Sequence, residues 1–215
     1  MKKGLLITLP RHETVTEYLA HFSKEITVES KRQNIPCKEI IGEDVNKANF
    51  QKLVRSTNYK LLVLNGHGTE DTIRGHKDEI IVGKGINEEL LNKRITYARA
   101  CDAATSLGKN LIKEDNEGCF IGYELPFQFY RDATWELNPA KDKIAPLFLE
   151  PSNKIPISIL KGKSTLEAHE NSKRQMLKNI KKVLRNPNND SLPIAEALWN
   201  NYEGQVLLGN PNCIL

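Results

Sequence analysis

The sequence predicts an α/β fold: a three-layer sandwich with a mostly parallel central sheet and helices on both faces. Three observations predict it. Apolar runs and amphipathic stretches alternate through the first two-thirds of the chain. The runs GLLITL and KLLVLN are almost continuously apolar, the pattern of strands covered on both faces. The stretches between strands are polar with apolar residues at helical spacing, as the crossover helices of a parallel sheet require.

The first strand is Gly4–Leu9. Residues Glu13 to Lys31 place Val15, Leu19, Phe22 and Ile26 on one helical face. Ile35–Ile41 is the second strand, ended by Gly42. Asn46–Ser56 is a helix presenting Phe50, Leu53 and Val54, and Lys60–Asn65 is the third strand. It runs into Gly66-His67-Gly68. Asp71–Arg74 and Glu79–Val82 flank Gly75-His76-Lys77 as a small hairpin. A short helix, Asn87–Lys93, leads to the fourth strand, Ile95–Ala100, and Cys101 follows directly. Residues 103–113 form a helix and Cys119–Tyr123 a fifth strand.

The last third reads differently. Residues 130–163 carry four of the ten prolines and no clear period, and are expected to be an insertion with short helices, a lid or a site of processing. Ser164–Leu184 is a long helix, with Ser164 and Glu167 spaced for a capping box. Ser191–Asn201 is another helix and Gln205–Leu208 a late strand. Residues 1–215 are thus expected to form one domain, with 164–215 supplying the C-terminal helices and final strand.

Right-handed crossovers put the C-terminal ends of parallel strands along one edge. A strand order of 2-1-3-4 places the reversal of order between the first and third strands, where sites form in such sheets. The residues after strands one, three and four are Pro10-Arg11, Gly66-His67-Gly68 and Cys101-Asp102. A histidine, a cysteine and an arginine are therefore expected on one rim.

Composition narrows the function classes. A hydrophobic content of 39% supports a buried core, and a net charge of +4 is mild. The basic cluster at 173–185 falls on a helix and reads as a solvated face, so no direct nucleic-acid contact is expected. The opening MKKGLLITLPRHE is too short in apolar residues for a signal peptide, and no segment suits a membrane span. Cys37, Cys101, Cys119 and Cys213 form no CxxC pair, which argues against a structural zinc site; free thiols and a cytoplasmic location are expected. Cys213 lies one residue short of a prenylation box. No metal or cofactor requirement is expected.

A free thiol titrates near ~8.5, so a nucleophilic cysteine needs a base or cation beside it. His67 and Cys101 end neighbouring strands, close enough to flank a substrate carbonyl. Gly66 permits a sharp turn off the strand. Gly68 leaves its N–H unobstructed, and that N–H with the N–H of Cys101 suits an oxyanion. The helical segment after Cys101 is expected to favour the thiolate. Cys37, Cys119 and Cys213 sit in or beside apolar strand runs and read as core residues. His12, His21, His76 and His169 are expected to be solvated.

The segments Asn65-Gly66-His67-Gly68 and Arg99-Ala100-Cys101-Asp102-Ala103-Ala104 resemble those of the caspase-like (clan CD) cysteine peptidases, above all the bacterial CHAT, gingipain-like and clostripain-like domains. The ending Val206–Leu215 is similar to the Gly-Asp-Pro ending of gingipain-like and CHAT domains, with Asn210 in place of the aspartate. The resemblance covers roughly 1–125 and 204–215. It implies a caspase-like sandwich and a dyad in which His67 polarises the scissile carbonyl or protonates the leaving amine while Cys101 forms the acyl-enzyme. It also implies a protein or peptide substrate, and restraint by an activating partner, self-association or processing. Caspases have Gln-Ala-Cys-Arg-Gly where this chain has Arg-Ala-Cys-Asp-Ala, so aspartate specificity does not carry over. Arg11 and Arg99 stand where family members place pocket arginines and favour an acidic P1 residue. Glu124 and Asp102 favour Lys or Arg, and the balance leans towards a Glu124 pocket.

Other readings are weaker. A catalytically silent caspase-like interaction module would not need both dyad residues. Amidotransferase-type enzymes carry the histidine after the cysteine. A cysteine phosphatase would need an arginine where Leu107 stands. Thr8-Leu9-Pro10-Arg11 is no phosphate loop, and a zinc deaminase would need a PCxxC segment.

Overall fold

A computed structural model describes residues 1–114, 117–185 and 187–215 of the chain. Six strands form the central sheet: β1 (Lys2–Leu9), β2 (Cys37–Ile41), β3 (Tyr59–Asn65), β7 (Ile95–Arg99), β8 (Cys119–Tyr123) and β9 (Gln205–Gly209). Their order is β2-β1-β3-β7-β8-β9. All pairs are parallel except β8 with β9. The α/β class, the parallel sheet and the reversal between β1 and β3 agree with the sequence reading. A second, antiparallel sheet joins β4 (Gly68–Thr69), β5 (Thr72–Arg74) and β6 (Ile80–Gly83) between β3 and β7.

The strands are apolar on both sides because both sides are covered. Leu6, Leu62, Leu64, Ala98 and Phe120 face one way and pack with Phe50 and Val54 of α2 (Lys47–Thr57) and with Ile73, Ile81 and Val82 of the hairpin. Leu5, Ile7, Leu61, Val63, Tyr97 and Ile121 face the other way. They meet Ala20 and Ile26 of α1 (Thr14–Arg32), Ile155 and Ile159 of α4 (Pro146–Leu160) and Ala168 of α5 (Thr165–Arg185). Helix α6 (Ser191–Gly204) feeds β9, and α3 (Lys109–Glu114) continues a π-helical stretch, Ala104–Gly108.

The segment 130–163 departs from expectation. It contains a 15-residue helix, α4, whose Phe148, Leu149, Ile155 and Ile159 are buried in the core. The prolines concealed it. Pro151 has no N–H to give the carbonyl of Leu147 four residues back. That carbonyl instead accepts from the Asn179 side-chain amide of α5 at 2.7 Å, which offsets the first of the helix's two internal prolines, Pro151 and Pro156.

Helix α5 starts as the capping box predicts. The Ser164 Oγ accepts from the Glu167 N–H at 3.2 Å and the Glu167 carboxylate accepts from the Ser164 N–H at 3.0 Å. Two more first-turn donors are met by the C-terminal segment: Thr165 N–H reaches the Cys213 carbonyl and Leu166 N–H the Pro211 carbonyl. Asn210 shapes that segment, its Oδ1 accepting from the Asn212 N–H at 2.9 Å.

Candidate active site

The C-terminal ends of β3 and β7 lie side by side, with Asn65 opposite Arg99. His67 and Cys101 follow them, and both line one cavity of about 490 Å3. Its other walls are Val15 and Leu19 of α1, the strand-end residues Gly66, Arg99 and Ala100, and the segment Phe127–Tyr130 after β8. The size suits a peptide side chain or a small ligand.

Two glycines are there because a side chain would not fit. At Gly66 the chain turns with φ of +153°, and a Cβ would lie 2.0 Å from the Arg74 carbonyl oxygen. At Gly68 a Cβ would fall 2.5 Å from the Cys101 carbonyl oxygen and 3.0 Å from the Cys101 nitrogen. Gly68 therefore lets the β4 backbone rest against the backbone of Cys101. Among the described residues the Cys101 N–H donates to no backbone carbonyl. After Cys101 the chain passes through a left-handed conformation at Asp102, φ +57°, rare for a residue with a side chain.

The sulfur is half-buried and its thiol donates to the Phe127 carbonyl at 3.9 Å. Burial pushes the Cys101 thiol above its ordinary range, and the nearby Asp102 carboxylate adds to the effect. The expected thiolate at a helix N-terminus is thus corrected. The first turn is left-handed at Asp102 and then π-helical, and burial with a negative neighbour favours the protonated form. His67 is half-buried, and its Nε2 lies 2.8 Å from the Glu13 carboxylate. Sequence spacing gave no sign of Glu13. The residue sits in the turn between β1 and α1, where its own N–H and that of His12 share the Thr16 hydroxyl.

Arg99 is the largest fully buried side chain, only 1% exposed. It points from β7 towards α4, and its Nη2 donates to Asn153 Oδ1 at 2.5 Å. Its Nε and Nη1 have no hydrogen-bond partner among the described residues. Asn153 is also held by the Phe22 carbonyl at 2.8 Å. It too went unseen, because it lies within the proline-rich helix.

The remaining candidates are elsewhere. Arg11 is on the surface, its side chain 51% exposed, paired with Glu17 at 2.9 Å. Glu124 pairs with Lys109 at 2.7 Å. Asp102 is not among the cavity walls, and its carboxyl is raised by burial and by Glu70. The four other histidines are half-buried rather than solvated. His12 packs edge-on against His67 and His76, with ring centres 6.3 and 5.3 Å away. His169 Nε2 lies 3.1 Å from the Gln205 carbonyl. Packing of the β1–α1 turn against the hairpin, and of α5 against β9, covers them.

Cys119 and Cys213 are buried; Cys37 is half-buried, and burial pushes its thiol up to about 12. No protein-family model matches the chain, and no curated protein matches it in sequence. No helix among the described residues is long and apolar enough to cross a membrane.

Proposed function

We propose that the chain is a caspase-like cysteine endopeptidase acting through His67 and Cys101. One observation carries the reading: both residues line a single cavity at the C-terminal ends of adjacent parallel strands. In the reaction, Cys101 Sγ attacks the scissile carbonyl carbon as its proton passes to solvent or to His67. The carbonyl oxygen becomes an oxyanion facing the N–H groups of Gly68 and Cys101. Collapse breaks the C–N bond, and His67 protonates the leaving amine. Water then adds to the thioester, releasing the carboxylic acid and the free thiol.

The same cavity supports an acidic P1 residue. A buried guanidinium with two unpartnered donor atoms is costly unless an anion joins it. A carboxylate side chain entering beside Cys101 supplies that anion. The aromatic wall Phe127–Phe129–Tyr130 excludes water from the pair. Glu124, held by Lys109 outside the lining, does not favour a basic P1 residue here.

A second reading, the silent interaction module, is favoured by the burial that pushes the Cys101 thiol up and by the Glu13 carboxylate 2.8 Å from His67 Nε2. A cleavage profile against a diverse peptide library separates the two. Cleavage after Asp or Glu, lost in Cys101→Ala and in His67→Ala, supports the peptidase. Equal cleavage by wild type and Cys101→Ala refutes it.

A further inference from the structure

Three histidines converge beside the cavity that His67 lines. His12 precedes α1, His67 follows β3, and His76 lies in the hairpin turn. One donor atom each from His12, His67 and Asp78 lie within 4.8 Å of one another. Nothing in the peptidase chemistry above uses His12 or Asp78. Yet the backbone holds both firmly. The His12 N–H donates to the Thr16 hydroxyl at 3.2 Å. The His76–Asp78 turn is pinned by the His76 N–H on the Val45 carbonyl at 2.9 Å and passes through left-handed conformations at Lys77 and Asp78, with φ of +50° and +61°. Left-handed residues with side chains persist only where the surroundings impose them.

A second observation points to a ligand. The Nδ1 of His12, one of the three grouped residues, is buried and has no hydrogen-bond partner among the described residues; the same holds for Nδ1 of the neighbouring His76, which is not in the group. Such nitrogens are uncommon and call for an occupant. His67 adds a third sign. Its Nε2 lies 2.8 Å from the Glu13 carboxylate, and a neutral ring that gives its Nε2–H to that carboxylate leaves the Nδ1 lone pair for a ligand. A histidine that gives one ring N–H to a carboxylate and offers the other nitrogen is the usual arrangement of a metal-ligating imidazole.

We propose that His12, His67 and Asp78 bind a divalent transition-metal ion, with zinc as the fitting class, and that the bound ion withdraws His67 from catalysis. Two imidazoles and one carboxylate suit zinc, and water completes a tetrahedron. With zinc–ligand bonds of ~2.0–2.1 Å, tetrahedral donors sit roughly 3.4 Å apart. None of the cysteines takes part, so the site is distinct from any thiolate site. Metal binding stands independently of the peptidase reading; only its inhibitory consequence rests on it.

The test uses the full chain and metal alone. Equilibrium dialysis with Zn2+ should show a single bound equivalent. Co2+ should give visible bands of a tetrahedral nitrogen and oxygen site, with no sulfur-to-cobalt charge-transfer band. His12→Ala and the conservative, exposed-site Asp78→Asn should each weaken Zn2+ binding at least tenfold, while Cys101→Ala leaves it unchanged. Absence of binding to the wild type overturns the proposal. So does binding insensitive to both His12→Ala and Asp78→Asn, or a thiolate band that disappears in Cys101→Ala. If the peptide assay detects cleavage, Zn2+ should inhibit it, with half-inhibition at least tenfold higher in Asp78→Asn. Inhibition that Asp78→Asn leaves unchanged overturns the inhibitory role without touching the peptidase reading.

Discussion

Substituting Gly68 by alanine should damage the site more than the fold. The added Cβ would lie 2.5 Å from the Cys101 carbonyl oxygen, 2.9 Å from the Ala100 Cβ and 3.0 Å from the Cys101 nitrogen. Ordinary contact requires about 3.5 Å or more, so strand β4 and the Cys101 backbone must separate by up to about 1 Å. Overpacking of that kind costs about 1–3 kcal/mol. For a chain of this size each kcal/mol lowers the melting temperature by about 2–4 °C. Displacing a nucleophile by about 1 Å costs on the order of 10²-fold in rate. Calorimetry and peptide-cleavage kinetics on the same preparation read both effects. A matched control is Gly42→Asn. Gly42 has φ of +57° with nothing within 4 Å of the added carbon, and asparagine tolerates that conformation. The control should keep activity and most of the stability. Wild-type melting and wild-type cleavage in Gly68→Ala would refute the close-approach argument.

Further outcomes follow from other contacts. Asn179→Ala should cost about 1–3 kcal/mol, because the Leu147 carbonyl beneath Pro151 loses its donor; an unchanged denaturation midpoint would count against it. Asp102→Asn removes one cause of the raised Cys101 thiol and should speed iodoacetamide labelling of Cys101 near neutral pH, followed by mass spectrometry. Labelling as slow as in the wild type would show that burial alone sets the thiol. Burial lowers His169, and burial with Lys24 and Arg11 lowers His21. Between those depressed values and ~6.5 the unfolded chain binds more protons than the folded one, so stability is fully present above ~6.5 and falls as pH drops. Thermal melts from about pH 7 to about pH 5.5 should fall, and less steeply in His169→Gln; a rise on acidification contradicts the sign.

The strands were legible because burial on both faces leaves an unmistakable apolar run; Cys119–Tyr123 is found where the sequence places it. The cap of α5 was legible because Ser164 and Glu167 satisfy each other locally. Helix α4 was hidden because it carries two internal prolines, of which Pro151 is compensated from another helix, through Asn179. The rim was legible as topology but not as electrostatics. Arg11 and Glu124 follow strands as expected, yet their charges are taken by Glu17 and Lys109. Which charge faces a cavity depends on side-chain partners, and those are set by packing rather than by position along the strand. Glu13 and Asn153 reach His67 and Arg99 from distant segments, and no spacing rule connects them.

The wall formed by Phe127–Tyr130 is held from behind by two asparagines of α6. The Asn201 amide of α6 accepts from the Gln128 N–H at 2.8 Å and donates to the Gln128 carbonyl at 2.6 Å, and Asn200 donates to the Pro126 carbonyl at 2.8 Å. Asn201 thus imitates a neighbouring strand, offering the backbone both an acceptor and a donor at one residue. The entropy of ordering that loop is lost during folding, before any ligand arrives. A guest entering the cavity meets a shaped surface and need not freeze each wall residue, which would otherwise cost about 0.5–1.5 kcal/mol apiece. On the proposed peptidase reading, recognition would therefore be stiff: it would reward guests that already match the cavity and adapt little to those that do not.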